Sequence, residues 1–413
     1  MSVPSFSNQK KHKGNTLMTK DLICPDFNTS LEEVLRDGAR QMLQLAIENE
    51  VTEFLEKYSS RKGVKRNGYL PQRLIQTGVG PLPIRKPRVR GERFTSALLP
   101  KYMRRVPSIE ALIPALYLRG ISTNSMGEAL EAILGENAKG LSPTNIVRLK
   151  EEWIKEYGSW CSRSLEGKEY VYIWADGIYC NVRLSDERPC LLVLIGATAE
   201  GKKELLAIHD GIRESKLSWK TLLSDIKRRG LSKAPQLGIG DGALGFWSAL
   251  EEEFPSCRTQ RCWVHKTANL LDKMPKKIQP DAKSLIHEMY MAPDKKSALD
   301  SFDRFIGLYE SKYPKACECL AKDKERLFTF YDFPAKHWQH IRTTNPIEST
   351  FATIRHRAEQ TKGCGSRKAT LSLFYKLGIT AEKHWRKLRG SELLSKVIEG
   401  VIFRDGEEVE KAA

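Results

Sequence analysis

The chain has 413 residues, 68 of them Lys or Arg against 51 Asp or Glu, for a formal net charge of +17. Apolar residues make up 40% and charged residues 29%, which supports several buried cores and excludes a membrane protein or wholesale disorder. The longest apolar run, residues 190–197, is far short of the roughly 20 residues of a membrane span, and the early lysines precede no apolar signal stretch. The expectation is a cytoplasmic protein of two to four domains that does not meet a membrane. Nine cysteines, odd in number and without a Cys-x-x-Cys pair, point to reduced thiols rather than a disulfide framework.

The charge is blocked, not spread. Residues 61–105 hold 13 basic residues and one acid, Glu92; residues 336–390 hold 12 basic and 3 acidic residues; residues 31–60 hold 3 basic and 7 acidic. Polyanion binding needs such gathering, because many phosphates must be neutralised on one surface.

Residues 31–58 carry apolar side chains at helical spacing, from Leu31 and Leu35 to Leu55 and Tyr58, and predict one long amphipathic helix. Its apolar stripe is a core face or a contact with a second copy of the chain. Residues 74–89 read as a hairpin with Gly78, Gly80, Pro81 and Pro83 at the turn. Helical patterns over 109–118, 122–134 and 142–153 follow, with Ser122 and Ser142-Pro143 as start signals. They have the layout of a helix-turn-helix whose last helix would present Thr144, Asn145 and Arg148 to DNA bases; a plain helical linker fits the same pattern.

From residue 170 the pattern turns to strands at 170–175, 190–198, 204–209, 237–240 and 258–262, with helices at 218–229 and 243–254 separating the last three. This predicts an α/β sheet of mixed direction. Residues 266–336 read as wholly helical, and a further helix begins at Asn345.

Three carboxylates sit at the ends or starts of these elements. Asp176 is predicted to end the first strand, Asp241 to end the fourth, and Glu348 to lie in the first turn of the Asn345 helix. Each has a local structural explanation: Asp176-Gly177 as a hairpin turn, Asp241 as a helix cap, Asn345-Pro346-Ile347-Glu348 as a capping box. Together they have the character of a phosphoryl-transfer site, where a hard divalent cation needs oxygen ligands held by separate rigid elements. On the Glu348 helix, Arg355 and Arg357 are placed to meet phosphate or simply to form a solvated basic face. Cys262-x-x-His265, with Cys257 nearby, supplies thiolate and imidazole donors for zinc but no fourth ligand. Trp263 is a base-stacking candidate or a core aromatic, the second being the commoner fate of a tryptophan.

Residues 170–385 resemble the transposases of bacterial insertion sequences in the Mutator-like family. The resemblance is carried by Trp174-Ala175-Asp176-Gly177-Ile178-Tyr179, Gly240-Asp241-Gly242, Gln260-Arg261-Cys262-Trp263-Val264-His265-Lys266 and Thr343-Thr344-Asn345-Pro346-Ile347-Glu348-Ser349. A weaker match that includes Arg66-Asn67-Gly68-Tyr69 extends it over nearly the whole chain. It implies an α/β ribonuclease-H-like catalytic core with an all-α insertion, preceded by helical and helix-turn-helix DNA-binding regions. It also implies a catalytic triad of Asp176, Asp241 and Glu348 holding two divalent ions, Mg²⁺ or Mn²⁺, with Cys262 and His265 as a supporting motif. The implied activity is cleavage and strand transfer at terminal inverted repeats. The implied partners are double-stranded element ends and target DNA, in a homo-oligomeric synaptic complex at the bacterial nucleoid. A stand-alone nuclease, and a DNA-binding regulator or domesticated, immobile derivative, are the competing expectations.

On this reading the chain divides into a flexible start at 1–30, the amphipathic helix and basic hairpin at 31–105, and the helix-turn-helix at 106–160. The first part of the core follows at 161–265, the insertion at 266–336, the last part of the core at 337–390 and a tail at 391–413.

Overall fold

In a computed structural model of the chain, the described residues are 30–121, 125–134, 143–179, 190–211, 213–242, 244–360 and 366–409. The expected flexible start and the cap candidates Ser122 and Ser142 lie outside them. Two compact units form: Met1–Tyr117 with Ile121–Pro143, and Leu118–Gly120 with Thr144–Ala413. Among the described residues no helix is long and apolar enough to cross a membrane.

The first unit opens with α1 (Leu31–Lys57), which starts where Ser30 and Glu33 form a reciprocal capping box. Four short strands follow: β1 (Lys65–Tyr69), β2 (Arg73–Thr77), β3 (Gly80–Ile84) and β4 (Pro87–Arg90). β2 pairs antiparallel with β3 and β1 with β4. The predicted hairpin is therefore β2–β3, but Pro81 and Pro83 lie within β3, and only residues 78–79 separate the strands.

The core of this unit joins Ile47 of α1 to Ile75, Leu82, Ile84 and Leu99. The apolar stripe of α1 is covered only in part, with Leu31 and Met42 about three-quarters exposed. The reason is length: a helix of 27 residues runs about 40 Å, and strands of four or five residues span roughly 17 Å. The acids of α1 tie down the basic segment, Glu48 pairing with Arg66 at 2.8 Å and Glu50 accepting from Ser96 and Ala97. Helices α2 (Pro107–Leu118) and α3 (Met126–Leu134) complete the unit.

The second unit begins with α4 (Pro143–Cys161), so the three helices expected to form one helix-turn-helix are divided between units. α4 runs two turns beyond the predicted end because it has a packing role. Trp153 is buried, Tyr157 donates from its hydroxyl to the Ile208 carbonyl at 2.9 Å, and Trp160 meets the Tyr375 ring.

The sheet contains β5 (Tyr170–Tyr179), β6 (Cys190–Thr198), β7 (Lys203–Gly211), β8 (Leu237–Gly240) and β9 (Arg258–Arg261) in the order β7-β6-β5-β8-β9. The β5/β6 and β6/β7 pairs are antiparallel, whereas β5/β8 and β8/β9 are parallel. Helices α5 (Lys216–Arg228) and α6 (Leu244–Glu253) cover one face through Trp219, Leu222, Ile226, Phe246 and Leu250, which meet Ile173, Ala175 and Leu192.

Strand periodicity sends Tyr172, Trp174 and Asp176 to the other face. There the Tyr172 hydroxyl meets His337 Nδ1 at 2.8 Å, and the Trp174 indole donates to the His340 carbonyl. This face is covered by α13 (Asn345–Gln360) and α14 (Arg367–Glu382). Between β9 and α13 lie α7 (Trp263–Leu271), α8 (Gln279–Met291), α9 (Lys295–Tyr309), α10 (Pro314–Ala321) and α11 (Lys324–Leu327), which make up the stretch read as helical at 266–336, and then α12 (Trp338–Ile341) beyond it. The stretch starts at Trp263, directly after β9. A short helix, α15 (Leu394–Ile398), and the two-residue strands β10 (Phe403–Arg404) and β11 (Glu407–Glu408) close the described chain.

Candidate active site

The register of the parallel strands brings the site together. Ala175 pairs with Gly240, and Gly240 with Arg261, so the next residue along each chain segment, Asp176, Asp241 and Cys262, falls side by side where β8 and β9 end. Neighbouring strands are about 4.8 Å apart, which sets the two aspartates within reach of one small ion.

Two local expectations are corrected. Asp176 does not end its strand: β5 continues to Tyr179, paired with β6 through Asp176–Val193 to Tyr179–Cys190, so Asp176-Gly177 is extended backbone and not a hairpin turn. Long antiparallel pairing with β6 overrides the local turn preference of Asp-Gly. Nor does Asn345 form a capping box with Glu348. The Asn345 residue is already helical, the Ile347 and Glu348 amides bond the Thr344 carbonyl, and the Glu348 carboxylate goes to the Thr344 side chain.

Thr344 is fully buried and central. Its hydroxyl donates to Glu348 Oε1 at 2.6 Å and lies 3.3 Å from both Cys262 Sγ and His265 Nδ1. The Thr344 amide also donates to Cys262 Sγ at 3.3 Å, and His265 Nδ1 is 3.4 Å from Glu348 Oε1. Burial holds the Cys262 thiol above its ordinary range, so it is neutral. The Thr344 hydroxyl has one proton and gives it to Glu348 at the shorter distance, and the Cys262 thiol donates toward the same carboxylate oxygen at 3.9 Å.

The donor atoms of Cys262, His265 and Glu348 all lie within 4.8 Å of one another, a spacing that would also suit a metal. The hydroxyl contacting all three explains the grouping as a hydrogen-bonded cradle that orients Glu348. Cys257 takes no part: it sits at the far end of β9, buried among the α6 contacts, and five extended residues span roughly 16 Å. Trp263 is wholly buried and donates its indole N–H to the Leu327 carbonyl, so it is core and not a stacking platform.

Electrostatics mark the carboxylates as crowded. Asp176 is 8% exposed, and its acid is pushed up to about 7, first by burial and then by Asp241, with Glu214 and Glu348 adding and His265 opposing. Glu214, which precedes the α5 cap Ser215, is likewise pushed up to about 7 by burial and by Asp241. These hard oxygen donors, held by different elements and too close for comfortable ionisation, fit a divalent cation.

After Asp241, Gly242 adopts φ +92°, and a Cβ there would overlap the Arg261 guanidinium. Arg261 and Lys266 share Asp323, Arg261 Nε at 3.6 Å and Lys266 Nζ at 2.5 Å. The Asp-Gly pair is thus needed for close packing beneath the site.

The structure therefore gathers Asp176, Asp241, Glu348, Cys262 and His265. It sets Arg148 apart, exposed on α4 with Glu152 at 3.5 Å. The side chains of Thr144, Asn145, Arg355 and Arg357 lie outside the described residues, although their backbones belong to α4 and α13. Sequence reasoning missed Thr344 and Glu214. Thr344 stands within the Thr343–Ser349 motif, directly before a helix start, and its burial is the missing signal; nothing local separates Glu214 from the other acids.

A sequence model of the Mutator family of transposases matches residues 9–387, and the chain belongs to that family. Over 288 residues it is 50% identical to the transposase for insertion sequence element IST2 of Acidithiobacillus ferrooxidans, covering 68% of this chain and 95% of that protein. It is 48% identical over 300 residues to the transposase for insertion sequence element IS6120 of Mycolicibacterium smegmatis, covering 73% and 92% respectively. More distant is the transposase for insertion sequence element IS256 in transposon Tn4001 of Staphylococcus aureus, 28% identical over 335 residues, which cover 79% of this chain and 84% of that one.

Proposed function

We propose that this chain is the transposase of an insertion sequence, binding the element's terminal inverted repeats and catalysing metal-dependent DNA cleavage and strand transfer. The observation that carries the reading is the strand register that aligns Asp176 with Asp241, together with the Thr344, Cys262 and His265 cradle that holds Glu348 beside them. The mixed five-stranded sheet with helices on both faces and an all-helical insertion before Glu348 supports a ribonuclease-H-like core. Two Mg²⁺ or Mn²⁺ ions bound there would supply the Lewis acidity that activates water or a DNA 3′-hydroxyl and that stabilises the leaving oxygen.

The chain's own contributions follow from its geometry. Asp176 and Asp241 are fixed by the paired strands that carry or precede them. Glu348 is oriented by Thr344, which stops its carboxylate from swinging to solvent. His265 Nδ1, 3.4 Å from Glu348 Oε1 and 3.3 Å from the Thr344 hydroxyl, helps fix the carboxylate in place. No covalent enzyme intermediate is required, so the same pocket serves hydrolytic nicking at an element end and then joining to target DNA.

Recognition falls to the basic block at 61–105, where Arg85, Arg88, Arg90 and Arg93 are exposed, and to the helices after it. Two ends must be held together for joining, which makes a homo-oligomer the expected working form. The test incubates purified protein with Mg²⁺ and DNA ending in the element's repeats, then maps cut and joined strands. Cleaved ends and strand-transfer products are expected. Binding without nicking refutes the enzyme in favour of a regulator, and nicking without joining favours a nuclease.

A further inference from the structure

Helix α1 is apolar on two sides, and the first unit uses only one of them. On the inner side Leu43 and Ile47 join the core of the unit, Val51 is buried, and Phe54 meets the ring of Phe94. At about 100° per residue, Leu31, Leu35, Gly38, Met42 and Leu45 fall on the far side, within about 80° of one another. Leu31 and Met42 are about three-quarters exposed, Leu35 about half and Leu45 about two-fifths. These outer positions follow one another at intervals of 4, 3, 4 and 3 residues, the spacing of a seam that packs along a second helix. One stripe is enough to seat a helix on its own unit; a second one left in water marks a contact surface.

The character of the stripe selects a second copy of the chain as its occupant. It is nearly symmetric about Gly38: a two-fold axis there sets Leu31 against the other copy's Leu45 and Leu35 against its Met42, which is the self-complementarity of an isologous contact. Glycine weakens a helix interior, but at a crossing point it lets two backbones approach closely. Charge agrees. From Gly38 to Ile47 the only charged residue is Arg40, turned to the inner side beside Asp37 at 3.6 Å, so the crossing has the charge-free centre typical of interfaces. Antiparallel crossing sets Glu32 beside the other copy's Gln44, where parallel pairing would set it beside its own counterpart, and it opposes the two helix dipoles. Beyond Leu45 the same face turns polar at Asn49, Thr52, Glu53 and Glu56, which ends the contact after about four turns. Two such stripes bury on the order of 1,000 Å², the lower bound of a specific interface, so the dimer should dissociate on dilution.

We propose that the outer stripe of α1 is the homodimer contact of this protein, with two copies of the helix crossing antiparallel at Gly38. The inference rests on the reading that the working form is a homo-oligomer, and it names the surface that joins the copies. Because α1 also ties down the basic segment through Glu48 and Glu50, the contact would hold two DNA-recognition surfaces together, one for each element end.

Sedimentation velocity of the full chain over about 1 to 100 µM, with and without element-end DNA, measures the monomer and dimer fractions. Wild type is expected to pass from monomer to dimer across this range. Met42→Glu and Leu35→Glu each bring a charge into the seam from both copies and should weaken the dimer at least tenfold. Thr52→Glu, at the polar end of the same face, should leave it within twofold. Circular dichroism and thermal unfolding check that these variants, all at exposed positions, remain folded. Under mild oxidation Gly38→Cys should give a covalent dimer that wild type does not, and Leu31→Cys should not link to its own counterpart. A dimer that both Glu variants leave intact overturns the contact while the homo-oligomer reading stands. Cross-linking by Leu31→Cys but not by Gly38→Cys overturns the antiparallel crossing. A wild type that stays monomeric at every concentration, with DNA and without, overturns both readings.

Discussion

Asp176→Asn tests the electrostatic reading of the pocket without any DNA substrate. The substitution keeps the side chain's shape and the oxygen that accepts the Gly177 amide at 2.9 Å, but removes a buried charge. An acid that ordinarily titrates near 3.8 and is held near 7 binds protons in the folded state that the unfolded chain has already released. Stability therefore falls as pH rises from about 4 to about 7 and levels off above, at about 1.4 kcal/mol per pH step. Summed over that range, this is on the order of 4 kcal/mol by pH 8, and sharing of the strain with Asp241 and Glu214 reduces it to about 2–4 kcal/mol.

Without metal, the Asn variant should be more stable than wild type at pH 8 by that amount, or several degrees in melting temperature, and by only about 1 kcal/mol at pH 5. All eight tryptophans fall between residues 153 and 385, within the second unit, so tryptophan fluorescence during unfolding in EDTA follows the relevant unit alone. Excess Mg²⁺ should raise the wild-type transition and leave the variant's nearly unchanged. A variant less stable than wild type at pH 8, or a gap equal at both pH values, refutes the reasoning.

Thr344→Val removes the hydroxyl that orients Glu348 and preserves shape; loss of a hydrogen bond to a charged group, about 1.5–3 kcal/mol, should slow nicking by roughly 10- to 100-fold while circular dichroism stays unchanged. Cys262→Ser should leave the metal content of the purified protein as it was, and stoichiometric zinc in wild type that the variant loses would replace the cradle with a metal centre. Gly242→Ala places a Cβ in the Arg261 guanidinium at a φ of +92°; it should destabilise the second unit by at least about 2 kcal/mol, seen as an earlier tryptophan transition. Replacing Arg88, Arg90 and Arg93 together by Ala should weaken binding to element-end DNA and lower the salt slope by up to about 2.7, or about 0.9 for each phosphate left without its cation, and an unchanged slope would place the DNA on another surface.

Much of this was written locally. Alternating and apolar runs placed the five strands of the sheet, two of them to the residue and a third within one residue, because a strand buried on both faces leaves an unbroken apolar signature. Helical spacing gave α1 and the insertion for the same kind of reason, and the acid and basic blocks were countable before any folding. The Asp-Gly and Asn-Pro-x-Glu signals were misleading as local structure. At Asp176 the pairing of β5 with β6 outweighed a turn preference, and at Asn345 the helix begins where it was read, but with Asn345 as its first residue and not its cap, Thr344 taking the carboxylate that a capping box would have used.

What the sequence determined by itself was which residues are chemically able to act: carboxylates at strand and helix ends, a Cys-x-x-His, and a surplus of cations in two stretches. Tertiary structure decided which of them meet. The strand order β7-β6-β5-β8-β9 puts Asp176 and Asp241 side by side across 65 residues of chain and returns Glu348 to them through the Thr344 cradle. Strand order and register are non-local quantities, set by packing free energy summed over the whole core, and no window of sequence contains them.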